Sequence, residues 1–245
     1  MTHVARFLTF ADIPALLQLE SRQWALHQAA DANALHTRLT VHPGLCVGVF
    51  CTRTGKALAS LFMKPIARVD LQRARCWSDC AAIGYPGIAR VSNSLFGISL
   101  TSVDPQAAAA IFDFFWPHAL KNGWREIYLG SPAPGLKCAL EQDPSLDVKT
   151  YIYARRGGLP LDPQLRYYSK KGFTDIVAVL PDYFPHEASL DYGVLIRGDV
   201  PLSRHCLVWK RLPLGAIQAM LGWIVGIEHM LDKRIRTRVA RHTVL

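Results

Sequence analysis

Three stretches of the chain hold groups whose types and spacing could do chemistry at neutral pH. Tyr167 and Tyr168, in Tyr167-Tyr168-Ser169-Lys170-Lys171-Gly172-Phe173, are phenols, protonated at neutral pH and able to donate that proton. Val103-Asp104-Pro105-Gln106-Ala107-Ala108-Ala109-Ala110 leads into a helix. A helix start gathers unpaired N–H groups and the positive end of the dipole, so it attracts anions. Alanine still offers its N–H there, with more crowding than glycine, and Asp104 would oppose an anion. Ser131 stands at the end of an apolar run just before Pro132, where a serine also suits a turn. Asp79, Asp104, His118 and His186 are side chains that could accept a proton, and no motif selects among them. Cys76 and Cys80 could clamp a metal, but no matching His or Cys pair lies nearby; free thiols without a metal are expected.

These groups need elements to hold them. Arg6 to Thr9 suits a first strand, running into a helix with Ile13, Leu16, Leu17, Glu20 and Trp24 at helical spacing and Thr9 or Asp12 as its cap. A second helix follows over 31–39. Cys46 to Phe50 and Ala57 to Met63, joined through Gly55, form a hairpin. The composition of 71–90 suits an irregular loop. Ser94 to Val103 is the expected central strand, Ala107 to Leu120 the helix after it, and Trp124 to Ser131 the next strand. A helix within 147–158 precedes the short helix Pro163 to Lys171, which closes at Gly172, a residue tolerant of left-handed backbone. Ile176 to Leu180 and Tyr192 to Ile196 are the last two strands.

A short helix ending Tyr-x-x-x-Gly-Phe (Tyr168 to Phe173) before two strands resembles the close of the GNAT superfamily, the acyl-CoA-dependent N-acyltransferases. Gly158-x-x-x-Asp162-Pro163-x-Leu165, Pro181-x-Tyr183-x-Pro185, Leu19-Glu20-x-x-x-Trp24 and Arg38-Leu39-x-x-x-Pro43-Gly44 narrow the resemblance to two branches. One is the GNAT domains attached to carbon-nitrogen hydrolases; the other is the GNAT-like loading domains of polyketide synthases, which act on malonyl-CoA. The resemblance covers both ends of residues 4–198. It implies an α/β fold, a mixed and largely antiparallel sheet flanked by helices, over 1–200, with 201–245 as a helical extension.

It also implies roles. An acyl-CoA, acetyl-CoA or another, would be the co-substrate, its pantetheine arm meeting Ser102 and Val103 and its diphosphate meeting Gln106, Ala107, Ala108 and Ala109. Here alanines stand where the superfamily's loop carries glycines. Ser131 would touch the thioester where the next strand splays away. Tyr168, in register with the superfamily's acid, would protonate the leaving thiolate. The malonyl-CoA branch leads one to expect His at 168 and at 171, and this chain has Tyr and Lys. The implied activity is transfer of a small acyl group from CoA or a carrier-protein thioester to an amine or thiol. Decarboxylation of a malonyl-type thioester and a module that binds without turnover are the alternatives.

The totals fit one main domain: 245 residues, half of them apolar, with a formal charge of +9. From 201 onward eight basic residues face two acidic ones, so the tail carries +6 of that charge. Such a surface suits CoA phosphates, an acidic acyl carrier protein or an anionic lipid surface; nucleic acid is not the expected partner. Residues 212–231 form an apolar run that suits a helix docked on the domain, a homodimer contact or a peripheral membrane helix. The first ten residues lack the pattern of a signal peptide, so a cytoplasmic, reduced protein is expected, membrane-associated if the C-terminal helix lies on lipid.

Overall fold

In a computed structural model that describes residues 2–24, 28–83 and 92–223, one seven-stranded sheet runs through the chain with helices on both faces. In chain order the elements are β1 (His3–Phe7), α1 (Ile13–Gln23), α2 (Ala32–Val41), β2 (Cys46–Cys51), β3 (Ala57–Pro65), α3 (Arg68–Arg73), α4 (Trp77–Ala81), β4 (Ser94–Ser102) and α5 (Pro105–Asn122). Then come β5 (Glu126–Pro132), α6 (Leu136–Gln142), α7 (Val148–Tyr153), the two-residue strands β6 (Arg155–Arg156) and β7 (Leu159–Pro160), α8 (Pro163–Ser169), β8 (Asp175–Leu180), β9 (Gly193–Asp199) and α9 (Cys206–Arg211). The strand order is β1-β2-β3-β4-β5-β9-β8, antiparallel throughout except for the parallel pair β4 and β5.

Strand alternation sends side chains to two cores. One holds Leu95, Ile127, Leu129 and Ile196 from the sheet, covered by Ile111, Phe112 and Phe115 of α5 and by Leu165 of α8. The other holds Phe62, Phe96, Ile98 and Tyr128 under Leu16 and Leu19 of α1 and Leu35 and Leu39 of α2. Each such fully buried Leu or Phe contributes roughly 1.5–3 kcal/mol over its exposed state.

The mixed sheet flanked by helices agrees with the expected fold class. Two local differences have physical causes. The stretch expected to be irregular over 71–90 holds α3 and α4; Asp79 nucleates α4 by accepting from the backbone N–H groups of Arg75 and Cys76, at 2.8 and 3.2 Å. Its later part, Gly84-Tyr85-Pro86-Gly87 included, lies outside the described residues. After β5, the Pro132-Ala133-Pro134-Gly135 turn starts α6, which the turn signals hid.

Beyond residue 200 the chain stays on the domain as far as it is described. Trp209 and Ile217 are buried in the α5-side core, Leu212 and Leu221 pack on it, and Lys121 of α5 donates to the carbonyls of Lys210 and Leu212 at 2.9 and 2.8 Å. Residues 214–223 are helical, with Ile217 and Leu221 one turn apart on the docked side and Met220 and Trp223 exposed. The rest of the apolar run and the basic residues from Lys233 onward lie outside the described residues. Among those described, no helix is long and apolar enough to cross a membrane.

Candidate functional site

β4 and β5 begin side by side and then part. Ser94 to Gly97 pair with Glu126 to Leu129. Beyond that point β4 continues to Ser102 hydrogen-bonded to β3, and β5 continues to Pro132 hydrogen-bonded to β9. A register shift against β3 inserts Ile98 as an extra residue in β4 at the point of divergence, and such bulges bend and twist a strand. The two strands thus leave a gap edged by main-chain polar groups that no strand among the described residues pairs. Trp77 of α4 reaches one of them, its Nε1 donating to the Ile98 carbonyl at 3.2 Å.

Past the open end of β4 sits the start of α5. Ser102 Oγ donates to the Asp104 carbonyl at 2.7 Å, and the Val103 N–H is tied to Leu58 of β3 at 3.0 Å. Asp104 is the N-cap: its carboxylate accepts from the Gln106 N–H at 2.8 Å and its carbonyl from the Ala108 N–H at 3.0 Å. Pro105 has no N–H. Of the first helical amides, Ala107's is the one to which neither Asp104 oxygen is bonded. The side chains of Ala107 and Ala108 are buried against the sheet. Gln106 is exposed and Ala109 half-buried.

Along β5, Ile127, Leu129 and Ser131 alternate onto the α5 side. Ser131 is fully buried and its Oγ donates to the Pro132 carbonyl at 2.9 Å. Tyr168 packs on the same core, so these two sequence-selected residues share one face of the sheet. The structure also separates the adjacent phenols. Tyr168 turns inward, 6.0 Å between ring centroids from Phe173, while Tyr167 is 37% exposed. Burial pushes the Tyr168 hydroxyl up to about 12, only partly offset by Gln164 one turn earlier. Gly172 closes the helix end at φ +93°, as its position predicts.

On the other face lies a side chain that the sequence presents within the pattern Pro181-x-Tyr183-x-Pro185 but gives no role. Tyr183, in the loop between β8 and β9, is 1% exposed and rests flat on the sheet over Gly130 and Gly193. A Cβ at Gly130 would come within 2.5 Å of its ring, and one at Gly193 would overlap it. Its carbonyl accepts from the Trp77 N–H at 2.8 Å, joining the loop to α4. The available signal was a pair of glycines inside otherwise apolar strands, which marks a close approach.

Below the open half of β4 on this face is a buried polar chain. Trp24 Nε1 donates to Thr101 Oγ1 (2.8 Å), and the Thr101 hydroxyl donates to Glu20 Oε1 (2.6 Å). The Ala30 N–H donates to Glu20 Oε2 (3.2 Å), and the buried Arg38 donates to Ser99 Oγ (3.2 Å). Burial lowers Arg38 and the nearby Glu20 carboxylate opposes that shift. A cavity of about 720 Å³ at the opposite ends of β4 and β5 surrounds Glu126 with Arg68, Arg125, Arg197 and Arg204. Burial raises the Glu126 carboxyl, but the Ser94 hydroxyl and Arg68 outweigh it and hold it below the ordinary range. That network ties α3 to the sheet.

The possible proton acceptors are dispersed. Asp79 and Asp104 serve as helix caps. His118 packs edge-on against Phe7 and tilted against Phe114, and burial lowers it. His186 Nδ1 and the Ser189 hydroxyl are hydrogen-bonded at 2.7 Å, and that hydroxyl accepts from the Ala133 N–H (2.9 Å). Among the described residues no cluster of three or more His, Cys, Asp or Glu could hold a metal.

Burial raises Tyr151 and Tyr183 as well as Tyr168. Unfolded phenols lose their protons near pH 10, while the folded ones retain them. Stability is therefore fully present below that pH and falls as pH rises toward 12. Urea midpoints at pH 8 and pH 11 check this: the second is expected to be clearly lower, and equal midpoints would contradict it.

No family model matches the chain, and no curated protein matches it in sequence. Its structure is similar to the loading GNATL domain of CurA from Lyngbya majuscula, with TM-score 0.67 and 16% identity over 82% of this chain and 98% of that one. It is also similar to the GphF GNAT-like decarboxylase in complex with isobutyryl-CoA, with TM-score 0.64 and 20% identity over 80% and 99%. A probable acetyltransferase from Staphylococcus epidermidis aligns at TM-score 0.50 and 10% identity over 81% and 99%. The chain has the GNAT fold.

Proposed function

We propose that residues 1–200 form an acyltransferase unit that takes a small acyl group from acyl-CoA, acetyl-CoA or another, to an amine or thiol acceptor, with 201–245 as an extension whose described part packs on α5. The observation that carries this reading is the gap opened after Gly97 and Leu129. The pantetheine arm is an extended chain with two amides. It matches an opening edged by unpaired main-chain groups much as a peptide strand matches a sheet edge. Ser102 and Val103 lie where the arm would run, and Gln106 and Ala107 to Ala109 where the diphosphate would come. Ser131 and Tyr168 flank the position of the thioester, with Tyr168 protonating the departing thiolate. The protein similar in structure that is described as bound to isobutyryl-CoA supports the choice of co-substrate. Release of free CoA from acetyl-CoA in the presence of amine acceptors tests the reading; no release with any amine or thiol would overturn it.

Asp104 bears directly on affinity. Its carboxylate holds the Gln106 amide and sets a negative charge where a diphosphate would sit. Asparagine caps a helix as well as aspartate but carries no charge. Asp104→Asn is therefore expected to tighten acyl-CoA binding about fivefold, the size of one charge at a helix start. Calorimetry with acetyl-CoA checks this, and weaker binding would contradict it.

The similarity to a decarboxylase and to a loading domain favours one second reading, loss of CO2 from a malonyl-type thioester held in the same gap. Malonyl-CoA turned over to acetyl-CoA without an acceptor would select it. The excess of basic residues suits an acidic carrier protein as the thioester's bearer. A peripheral membrane contact or a homodimer through 212–231 is the other use of that segment; unchanged vesicle pelleting and unchanged oligomeric state after deletion of 212–245 would argue against both.

A further inference from the structure

Tyr183 is a large side chain held by close packing, with its hydroxyl beside the buried Cys80 thiol. It is 1% exposed, and its oxygen has no hydrogen-bond partner among the described residues. A buried hydroxyl without a partner is costly, and native proteins keep few of them. The cost recurs in the sequence as Gly130 and Gly193, whose missing side chains let the ring lie flush on β5 and β9. An ideal Cβ at Gly130 would stand 2.8 Å from the Tyr183 oxygen, which places the hydroxyl over this residue. Gly130 is the first residue of β5 past its last pairing with β4. Across the gap, Ile98 is the first residue of β4 past that pairing, and Trp77 is bonded to it. The two aromatic side chains, linked through the Trp77 N–H and the Tyr183 carbonyl, border the opening on the face away from Tyr168.

We propose that the Tyr183 hydroxyl donates a hydrogen bond to the thioester carbonyl oxygen in the gap and holds the charge that develops there. This rests on the acyl-CoA reading above. In the step, the acceptor's amine nitrogen attacks the thioester carbon and the carbonyl oxygen becomes an oxyanion held by Tyr183. The C–S bond then breaks as the C=O bond re-forms, the CoA thiolate takes the Tyr168 proton, and the proton shed by nitrogen returns through water to Tyr168. Acyl-CoA and amine thus give amide and CoA, with nothing oxidised or reduced. Burial keeps Tyr183 protonated, as a donor must be. The buried Cys80 thiol lies beside the phenol and is a weak hydrogen-bonding partner at most, which a thioester carbonyl oxygen would outcompete.

Tyr183→Phe in the full chain tests the proposal, since it keeps the ring over Gly130 and Gly193 and removes only the oxygen. Turnover of acetyl-CoA is expected to fall about a hundredfold, as when one donor to an oxyanion is lost. Affinity for CoA, which has no acyl group, should stay unchanged, and the melting temperature should hold or rise because an unpaired buried hydroxyl is gone. With acetyl-CoA labelled with carbon-13 at the carbonyl, the bound resonance in the wild type should lie downfield of its position in the variant. Wild-type turnover with an unmoved resonance would overturn the role of Tyr183, as would a large fall in melting temperature with no change in the resonance. Failure of the wild type to bind acetyl-CoA would instead overturn the acyl-CoA reading, and this role with it.

Discussion

Replacing Tyr168 by phenylalanine is expected to lower acyl transfer from acetyl-CoA about a hundredfold while leaving the dissociation constant of acetyl-CoA unchanged, the size and pattern of a lost general acid. The ring packs on Phe173 in the α5-side core, so phenylalanine keeps the packing and removes only the hydroxyl. The pH dependence follows from the same burial. With the hydroxyl pushed up to about 12, Tyr168 keeps its proton at neutral and mildly alkaline pH. The rate should then not decline between pH 7 and pH 10 for want of the acid; it should rise as the acceptor amine loses its proton. Steady-state kinetics on wild type and Tyr168→Phe across that range checks both points. Equal turnover in the two proteins would exclude the role.

The choice between Tyr167 and Tyr168 shows what the sequence could supply. Gly172-Phe173 fixes the end of α8, and counting back from it puts Tyr168 on the side that carries Leu165 and Tyr167 on the solvent side, as found. The hairpin β2–β3, the central strand and the helix after it were legible for the same reason: long apolar runs of clear period. What stayed hidden depends on contacts far apart in sequence. Tyr183 reads as an aromatic in a Pro-rich loop until Gly130 and Gly193 are brought beneath it. Glu20 falls among the apolar positions of α1 and reads as one of them; its hydroxyl partner lies 81 residues away. The gap itself has no local signature, because strand divergence is a property of pairing. Asp104 was legible as an opponent of anions, but its grip on the Gln106 amide follows from how the chain enters α5.

Glu20→Ala should destabilise the fold more than any other substitution discussed above. It strands the Thr101 hydroxyl and the Ala30 N–H, both paired with Glu20, and leaves the buried Arg38 without the carboxylate that offsets its charge. Hydrogen bonds to a charged group contribute about 1.5–3 kcal/mol each, and their loss is not additive. A total of about 3 kcal/mol is expected, which lowers the melting temperature by roughly 10 °C for a chain of this length. Thr101→Val, which leaves the carboxylate one partner, should cost less. Because the network anchors the half of β4 that has lost β5, it also sets the width of the gap. Glu20→Ala should therefore weaken acyl-CoA binding even below its melting temperature. Urea denaturation of both variants measures the difference, and a loss under about 1 kcal/mol for Glu20→Ala would show that the network is not structural.

Backbone amide chemical shifts during titration with acetyl-CoA test most directly whether the opening between β4 and β5 receives the acyl-CoA. The largest changes are expected at Ile98 to Ser102, at Gly130 and Ser131 and at Ala107, with Glu126 to Leu129 and Ser94 to Gly97, still paired, moving little. Shifts confined to other parts of the chain, or none at millimolar ligand, would contradict it.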